Sequence, residues 1–284
     1  MSEQIKRLLL ISHAVPEVAA DALAETLGLC RRHGVEVVVP AGESQKHGDS
    51  LHSESGYVVL SDNDALEGVD LCLVLGGDGT MLRALQLTRD RSIPVAGVNL
   101  GRVGFLTTIA KDALAEGLAR LLVGEFRVYP LLCLQAQNGD STHSATNDVV
   151  VHRGNSPTAC SLGLRINGVT LFEVQCDGVV VGTPAGSSAY SLAAGGPLLG
   201  VSVDAYVITL VAAHAVGVRP VVAAPTDVLD IINMDHQACH LDVDGQRTGE
   251  LQPGDVVSIH TVPGAALALL EGDSLYHHFR DRLL

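Results

Sequence analysis

Scarcity narrows the class of this chain before any motif does. Basic side chains are few: 18 lysines and arginines stand against 32 aspartates and glutamates, a formal charge of −14 over 284 residues. So acidic a chain repels phosphate-rich surfaces, which argues against nonspecific binding to nucleic acid or to an anionic membrane. No apolar stretch is long enough to span a bilayer. Lys6 and Arg7 precede only the short run Leu8 to Ile11, with His13 and Glu17 behind it. That start reads as a first strand rather than a signal peptide. The six cysteines (30, 72, 133, 160, 176 and 239) include no Cys-x-x-Cys pair, and most lie inside apolar segments. A zinc site or disulfide framework is therefore not expected, and free core thiols in a reducing cytoplasm are. Tryptophan is absent and aromatic residues make up 3%, while 47% of residues are hydrophobic and 30 are glycine. That composition is globular, glycine-turned and α/β-like.

Histidine is plentiful, with 12 copies. His236 and His240 have the i, i+4 spacing of helical metal ligands, but their segment reads as β, where residues four apart are too distant to share an ion. These and the adjacent pair His277-His278 read as surface or satisfied histidines, and no metal ligand set is assigned.

The stretch on which the chain is organised is Leu71-Cys-Leu-Val-Leu-Gly-Gly-Asp-Gly-Thr80, continuing into Met81 to Leu87. Five apolar residues predict a buried strand, and Thr80 is positioned to cap the amphipathic run after it. Strand, glycine turn and helix start together present backbone N–H groups and a positive dipole end to an anion. Asp78 is odd in a simple phosphate cradle, because a carboxylate repels phosphate. It points to a metal contact or a base beside the phosphates, the alternative being a solvated residue of a tight turn.

Along the chain, strands are predicted at Leu8 to Ile11, Val35 to Val39, Leu71 to Leu75 and Pro94 to Val98. A helix opens at Pro16-Glu17 and closes at Gly34; another covers Thr80 to Thr88. A third is capped by Asp112, with Leu114, Leu118, Leu121 and Leu122 as its apolar face. Ala41 to Ser55 is polar and aperiodic and reads as a loop. Alternating strands and helices predict a doubly wound α/β domain over residues 1–124, with sites at the strand ends. From 125 to 264 short β segments bounded by turn signals predict an all-β domain. Asn138-Gly139, Asn167-Gly168 and Asp244-Gly245 are its hairpin signals. Residues 265–284 are expected to return to the first domain, as Leu267 to Leu270 and a helix-like Ser274 to Leu284.

Two further constellations lie in the β-rich half. Asn147-Asp148 heads the strand Val149 to Val151. Asp177-Gly178 leads through a strand to Thr183-Pro-Ala-Gly-Ser-Ser-Ala-Tyr-Ser191, where Thr183, Ser187, Ser188 and Tyr190 offer donors to sugar hydroxyls or phosphate. A serine-hydrolase elbow is disfavoured, because Gly186-Ser-Ser-Ala-Tyr190 lacks its second glycine.

In combination, Gly76-Gly-Asp-Gly-Thr80, Asn99-Leu-Gly-Arg-Val-Gly-Phe-Leu106, Asn147-Asp148 and Asp177-Gly178 with Thr183 to Ser191 resemble the bacterial and archaeal NAD kinase family, from about residue 5 almost to the end. The glycine turn alone is shared with 6-phosphofructokinases and diacylglycerol-type lipid kinases; the combination is far more specific. The resemblance implies phosphoryl transfer from ATP, or from polyphosphate, to the 2′-hydroxyl of the adenosine ribose of NAD. It implies a divalent cation, usually Mg2+, a site between two domains, and a homodimer or homotetramer. Asp78 is then the base. Gly76, Gly77, Gly79, Thr80 and Arg83 are the expected phosphate contacts. The expected dinucleotide contacts are Gly79, Asn147, Asp148, Gln175, Asp177, Ser188, Ala189, Tyr190, Ser191 and Gln246.

Departures from the family pattern bear on the acceptor. Ala185 stands where Thr or Ser is usual, Ser188 where Thr is common, and Gln175 at an often basic position. Ala213 to Pro220 keeps only His214, Arg219 and Pro220 of the family's pattern, and the family's usual tail does not follow Leu284. A kinase of the same fold with another hydroxylated acceptor, and a catalytically silent dinucleotide-binding protein, are the competing readings.

Overall fold

The computed structural model describes residues 4–47, 57–60, 66–101, 104–215 and 217–273. The chain divides into two compact units: the first runs through Pro130 and resumes at Ala265, and the second is Leu131–Gly264.

The first unit is a parallel sheet. Its strands are β1 (Arg7–Ser12), β2 (Glu36–Pro40), β3 (Tyr57–Leu60), β4 (Leu71–Gly76), β5 (Pro94–Asn99) and the short β6 (Ile109–Ala110). The order is β3-β2-β1-β4-β5, with β6 also on β5. Each neighbouring pair is parallel. The strands read as unbroken apolar runs because both faces are covered. Helix α1 (Pro16–His33) and helix α4 (Leu114–Leu122) bury Leu23, Leu27, Leu118 and Leu121 against Leu8, Leu10, Leu71 and Leu73. Between them in sequence lie α2 (Ala41–His47) and α3 (Asp78–Thr88). Helix α3 packs on β4 and β5 through buried Met81 and Leu85. The strand order reverses between β1 and β4, which is where open α/β sheets bind ligands. β4 ends there on Gly76.

Pro16 starts α1 and Gly34 stops it at φ 66°, its N–H bonding the carbonyls of Arg31 and Cys30, as the pattern predicts. Three expectations need correction. Residues 41–47 of the expected loop are helix α2, because Glu43 and His47, polar in the pattern, turn inward and are buried on partners. Strand β3, missing from the sequence reading, is a short edge strand with Val58 and Val59 exposed, so it has no apolar core signal. Asp112 lies in a 3-10 turn and makes no cap bond, and α4 begins behind it. The expected Ser274 to Leu284 helix lies outside the described residues.

The second unit is built from antiparallel ladders. Its strands are β7 (Phe126–Asn138, entering from the first unit), β8 (Ser141–Ala145), β9 (Asp148–His152), β10 (Cys160–Ile166), β11 (Val169–Cys176) and β12 (Gly178–Gly182). After helix α5 (Tyr190–Ala193) come β13 (Tyr206–Val211), β14 (Val221–Ala223), β15 (Leu229–Asn233), β16 (Cys239–Val243), β17 (Gln246–Leu251) and β18 (Val256–Leu270). One layer runs β14-β13-β12-β9-β16-β17, and β11-β10-β15-β18 forms another. Alternate residues of both layers, such as Val149, Val151, Val179 and Val181 against Leu162, Leu164, Leu229 and Ile231, share one core. The last part of β18 pairs parallel with β5 through Ala266 and Leu267.

The three hairpin signals fall between paired strands. Asn167-Gly168 and Asp244-Gly245 both carry two positive φ angles, the type I′ requirement. At the first signal only Gly139 is positive, and the turn centres on Gly139-Asp140 instead.

Candidate active site

In the first unit the site is the exit of β4. Gly77 is the N-cap of α3 in extended conformation (φ −115°, ψ −167°), and Asp78 is the first helical residue. Thr80 is therefore inside the first turn rather than its cap. It is buried, its N–H reaches the Gly77 carbonyl at 2.9 Å, and its side chain folds back on Gly76. A Cβ on Gly76 would stand 2.5 Å from Thr80 Oγ1, so only glycine fits.

The half-buried Asp78 carboxylate spans the turn to the segment after β5. Oδ2 accepts the N–H of Phe105 at 3.0 Å and Oδ1 that of Leu106 at 3.1 Å. A Cβ on Gly104 would overlap Asp78 Oδ1. The Asn99 to Leu106 stretch thus holds the carboxylate that the Gly-Gly-Asp-Gly turn supplies. Gly77 and Gly79 leave the space around the turn open, with nothing near a built Cβ.

Arg83 lies one turn into α3. Its Nη2 donates to Glu43 Oε1 at 2.8 Å and to the Ser12 carbonyl at 3.1 Å. Buried Glu43 also accepts from Ser12 N–H and Oγ and from Lys46 Nζ (2.7 Å). His47 Nε2 lies 2.6 Å from Ser12 Oγ, and its pKa is lowered by burial and then by Lys46. This network closes the C-terminal end of β1, opposite the end of β4.

In the second unit Asn147, Asp148 and Thr183 to Ser191 meet at the ends of β9 and β12. The hairpin residue Asp244 organises them: Oδ1 accepts the N–H groups of Asn147 (2.7 Å) and Asp148 (3.2 Å), and Oδ2 that of Thr146 (2.9 Å). Its own N–H returns to the Asp148 carbonyl at 2.9 Å. Burial, and then the charge of Asp244, push the Asp148 carboxyl up to about 7. Asn147 Oδ1 is buried without a hydrogen-bond partner, an acceptor held ready for a donor.

Thr183 Oγ1 donates to the Thr146 carbonyl at 2.6 Å and accepts Gly186 N–H at 3.0 Å. A Cβ on Gly186 would overlap the Asn147 backbone. Ser187 is spent on the Pro184 and Leu199 backbone, and buried Ser191 on Thr209 Oγ1 at 2.9 Å. These two serines also tie the wall together. Ser188 and Ala189 are half-buried, Ser188 Oγ bonding the Ala185 carbonyl at 3.2 Å, and Tyr190 is exposed.

Asp177, after β11, is ion-paired with Arg153 Nε at 2.9 Å. Gln175 and Gln246 have exposed side chains, and the Gln175 carbonyl accepts His214 N–H. His240 approaches Glu250 at 3.6 Å, and no group of three or more His, Cys, Asp or Glu suited to a metal occurs among the described residues. All six cysteines are free.

Sequence reasoning missed Gly104, Glu43, Asp244 and Arg153. Asp244 and Gly104 stood inside noted motifs but carried no signal of a partner; Glu43 and Arg153 stood outside every motif.

The profile of the ATP-NAD kinase N-terminal domain matches residues 16–126, and that of the C-terminal domain residues 146–269. The chain is 33% identical over 291 residues to NAD kinase 2 of Streptomyces coelicolor, covering 99% of this chain and 94% of that protein. It is 37% identical over 230 residues to the NAD kinase of Corynebacterium diphtheriae, covering 78% and 72%. Among solved structures it resembles yeast NADH kinase complexed with NADH (TM-score 0.86, 22% identity, 99% of this chain and 88% of that one). It also resembles an NAD kinase from Archaeoglobus fulgidus in complex with ATP (TM-score 0.70, 23% identity, 98% and 97%). With both domain profiles matched in order, and relatives of this identity over most of their length, the chain belongs to the ATP-NAD kinase family of phosphotransferases.

Proposed function

We propose that the protein phosphorylates the 2′-hydroxyl of the adenosine ribose of NAD at the expense of ATP, with Asp78 as the base. The observation that carries the reading is the Asp78 carboxylate, held by the Phe105 and Leu106 N–H groups at the glycine exit of β4. The ribose oxygen forms a bond to the γ-phosphorus as the bond from phosphorus to the bridging β,γ-oxygen breaks, releasing ADP. Asp78 accepts the hydroxyl proton. An alcohol is a poor nucleophile at neutral pH, and a placed carboxylate removes that barrier at the moment of transfer. The rest of phosphoryl transfer is positioning and charge neutralisation.

Asn147 Oδ1 accepts from the amino group of adenine, and Asp148, Asp177, Tyr190 and Gln246 line the remainder of the dinucleotide. Mg2+ would arrive bound to the phosphates of ATP, at the glycine turn beside Asp78. When bound, the ion neutralises developing charge on the phosphoryl oxygens. We take the enzyme to work in the cytoplasm as a homodimer or homotetramer, as its resemblance implies; none of the described helices is long and apolar enough to cross a membrane.

The buried Ala185, which removes a hydroxyl common in the family, supports a second reading in which NADH or another ribosyl acceptor is preferred. One assay separates them: initial rates with ATP and Mg2+ against NAD, NADH and a panel of nucleosides. Efficient turnover of NAD at micromolar concentration supports the first reading. Turnover confined to another acceptor supports the second.

A further inference from the structure

Three of the six cysteines meet behind Asp177. Cys160 and Cys176 are directly opposed across the antiparallel β10–β11 pair. Cys239 opens β16 in the other layer, and all three are buried free thiols. Cys160, Cys176 and Cys239 all belong to one buried core cluster. The Cys160 thiol donates a hydrogen bond to the Cys176 carbonyl at 3.2 Å. Directly opposed residues in an antiparallel ladder hold their Cα atoms about 4.5–5.5 Å apart, inside the range of roughly 4.4–6.8 Å that a disulfide spans.

The cluster is buried but borders the surface, and it is connected to Asp177. Cys160 and Cys239 line a small surface cleft of about 10 Å³ together with Arg153 and Asp235. Cys176 directly precedes Asp177, the partner of Arg153 at 2.9 Å. Cys239 directly precedes His240, whose ring packs so closely on Gly154 that a Cβ there would overlap it. Hydrogen bonds from Cys176 and then Cys239 lower the Cys160 pKa, which favours its thiolate once the thiol proton is released. Donation to Cys160, and then burial, raise that of Cys176.

We propose that Cys160 and Cys176 form an oxidation site, converted by a hydroperoxide entering the cleft into a reversible cross-strand disulfide that weakens dinucleotide binding at Asp177. The Cys160 thiolate attacks a peroxide oxygen and breaks the O–O bond, giving a sulfenic acid and, after protonation, water or an alcohol. The Cys176 sulfur then attacks the sulfenic sulfur, and the departing hydroxide takes the Cys176 proton to leave as water. Both sulfurs are oxidised and the peroxide is the species reduced. Closing an S–S bond of about 2.05 Å draws β10 and β11 together beside Asp177. Strained cross-strand bonds have higher potentials, which makes this one readily reducible by thiols. The effect on binding rests on the reading of Asp177 as a dinucleotide contact; the disulfide does not.

The test treats the reduced full-length protein with hydrogen peroxide, maps its peptides without reduction, and measures KM and kcat for NAD before and after. The expected result is a linked peptide pair containing Cys160 and Cys176, a several-fold rise in KM with a smaller change in kcat, and reversal of both by dithiothreitol. Cys160→Ser, with Cys160→Ala as a second variant, keeps the reduced enzyme's activity and loses the response; Cys30→Ser responds like the parent. Six free thiols after peroxide, a Cys160–Cys239 link, or a Cys160–Cys176 link with unchanged KM would overturn the proposal. If the reduced protein does not phosphorylate NAD, the functional reading fails, and the oxidation site stands or falls on the peptide map.

Discussion

Gly104 lies against the carboxylate of Asp78 so closely that a Cβ at position 104 would overlap Oδ1 and stand 2.8 Å from Thr107 Oγ1. That approach delivers the next two N–H groups, those of Phe105 and Leu106, to the two oxygens of Asp78. Gly104→Ala is therefore expected to push the carboxylate off its amides. Since small misplacements at a reacting centre are costly, kcat should fall by about tenfold or more. Circular dichroism checks that the fold survives, and steady-state kinetics read the loss.

Asp244 gathers three backbone N–H groups onto one hairpin residue. Hydrogen bonds to a charged acceptor contribute about 1.5–3 kcal/mol each, and not additively. Asp244→Ala should therefore lower unfolding stability by about 3 kcal/mol in urea titration. It should also raise KM for NAD, because Asn147 and Asp148 lose their common anchor. Asp244→Asn should recover part of both.

Arg83 and Glu43 separate a structural role from a ligand role. Glu43 is the buried member, so Glu43→Ala strands Lys46, Ser12 and Arg83 and should cost about 3–5 kcal/mol. Arg83 is half exposed, so Arg83→Ala should cost less than about 1 kcal/mol. If Arg83 swings to phosphate when ATP binds, the same variant raises KM for ATP several-fold; an unchanged KM leaves it a structural residue.

The raised carboxyl of Asp148 gives a pH dependence of definite sign. Its ordinary value is 3.8 and its folded value about 7, so the folded state holds this proton more tightly than the unfolded state does. Its contribution to stability is most favourable below about pH 4 and declines as pH rises toward 7. Relative to the parent, ligand-free Asp148→Asn should gain stability between those limits and keep the gain above pH 7. Denaturant titrations at pH 4.5 and 7.5 measure the difference, and no pH-dependent difference would refute the assignment.

Much of this was legible before the structure because the signals are local. Pro16 and Gly34 bracket α1 by their own backbone constraints, and continuous apolar runs mark strands covered on both faces. What escaped depends on tertiary partners. Glu43 looks like a loop residue until Ser12, Lys46 and Arg83 are folded around it. Ser187 and Ser191 carry hydroxyls that the motif offers to a ligand, and their bonds to the backbone and to Thr209 were not legible in the sequence. Arg83, an expected phosphate contact by resemblance, also bonds a carboxylate forty residues away in sequence, a partner that no motif announced.

The central claim is that Asp78 takes the proton from the acceptor hydroxyl. Single-turnover transfer of the γ-phosphoryl of labelled ATP to NAD, compared between the parent and Asp78→Asn, tests it most directly. General-base removal costs about 10²–10⁴-fold, so the variant should fold, bind NAD with similar affinity and transfer phosphate at least a hundredfold more slowly. Transfer by the folded variant at the parent's rate would contradict the account.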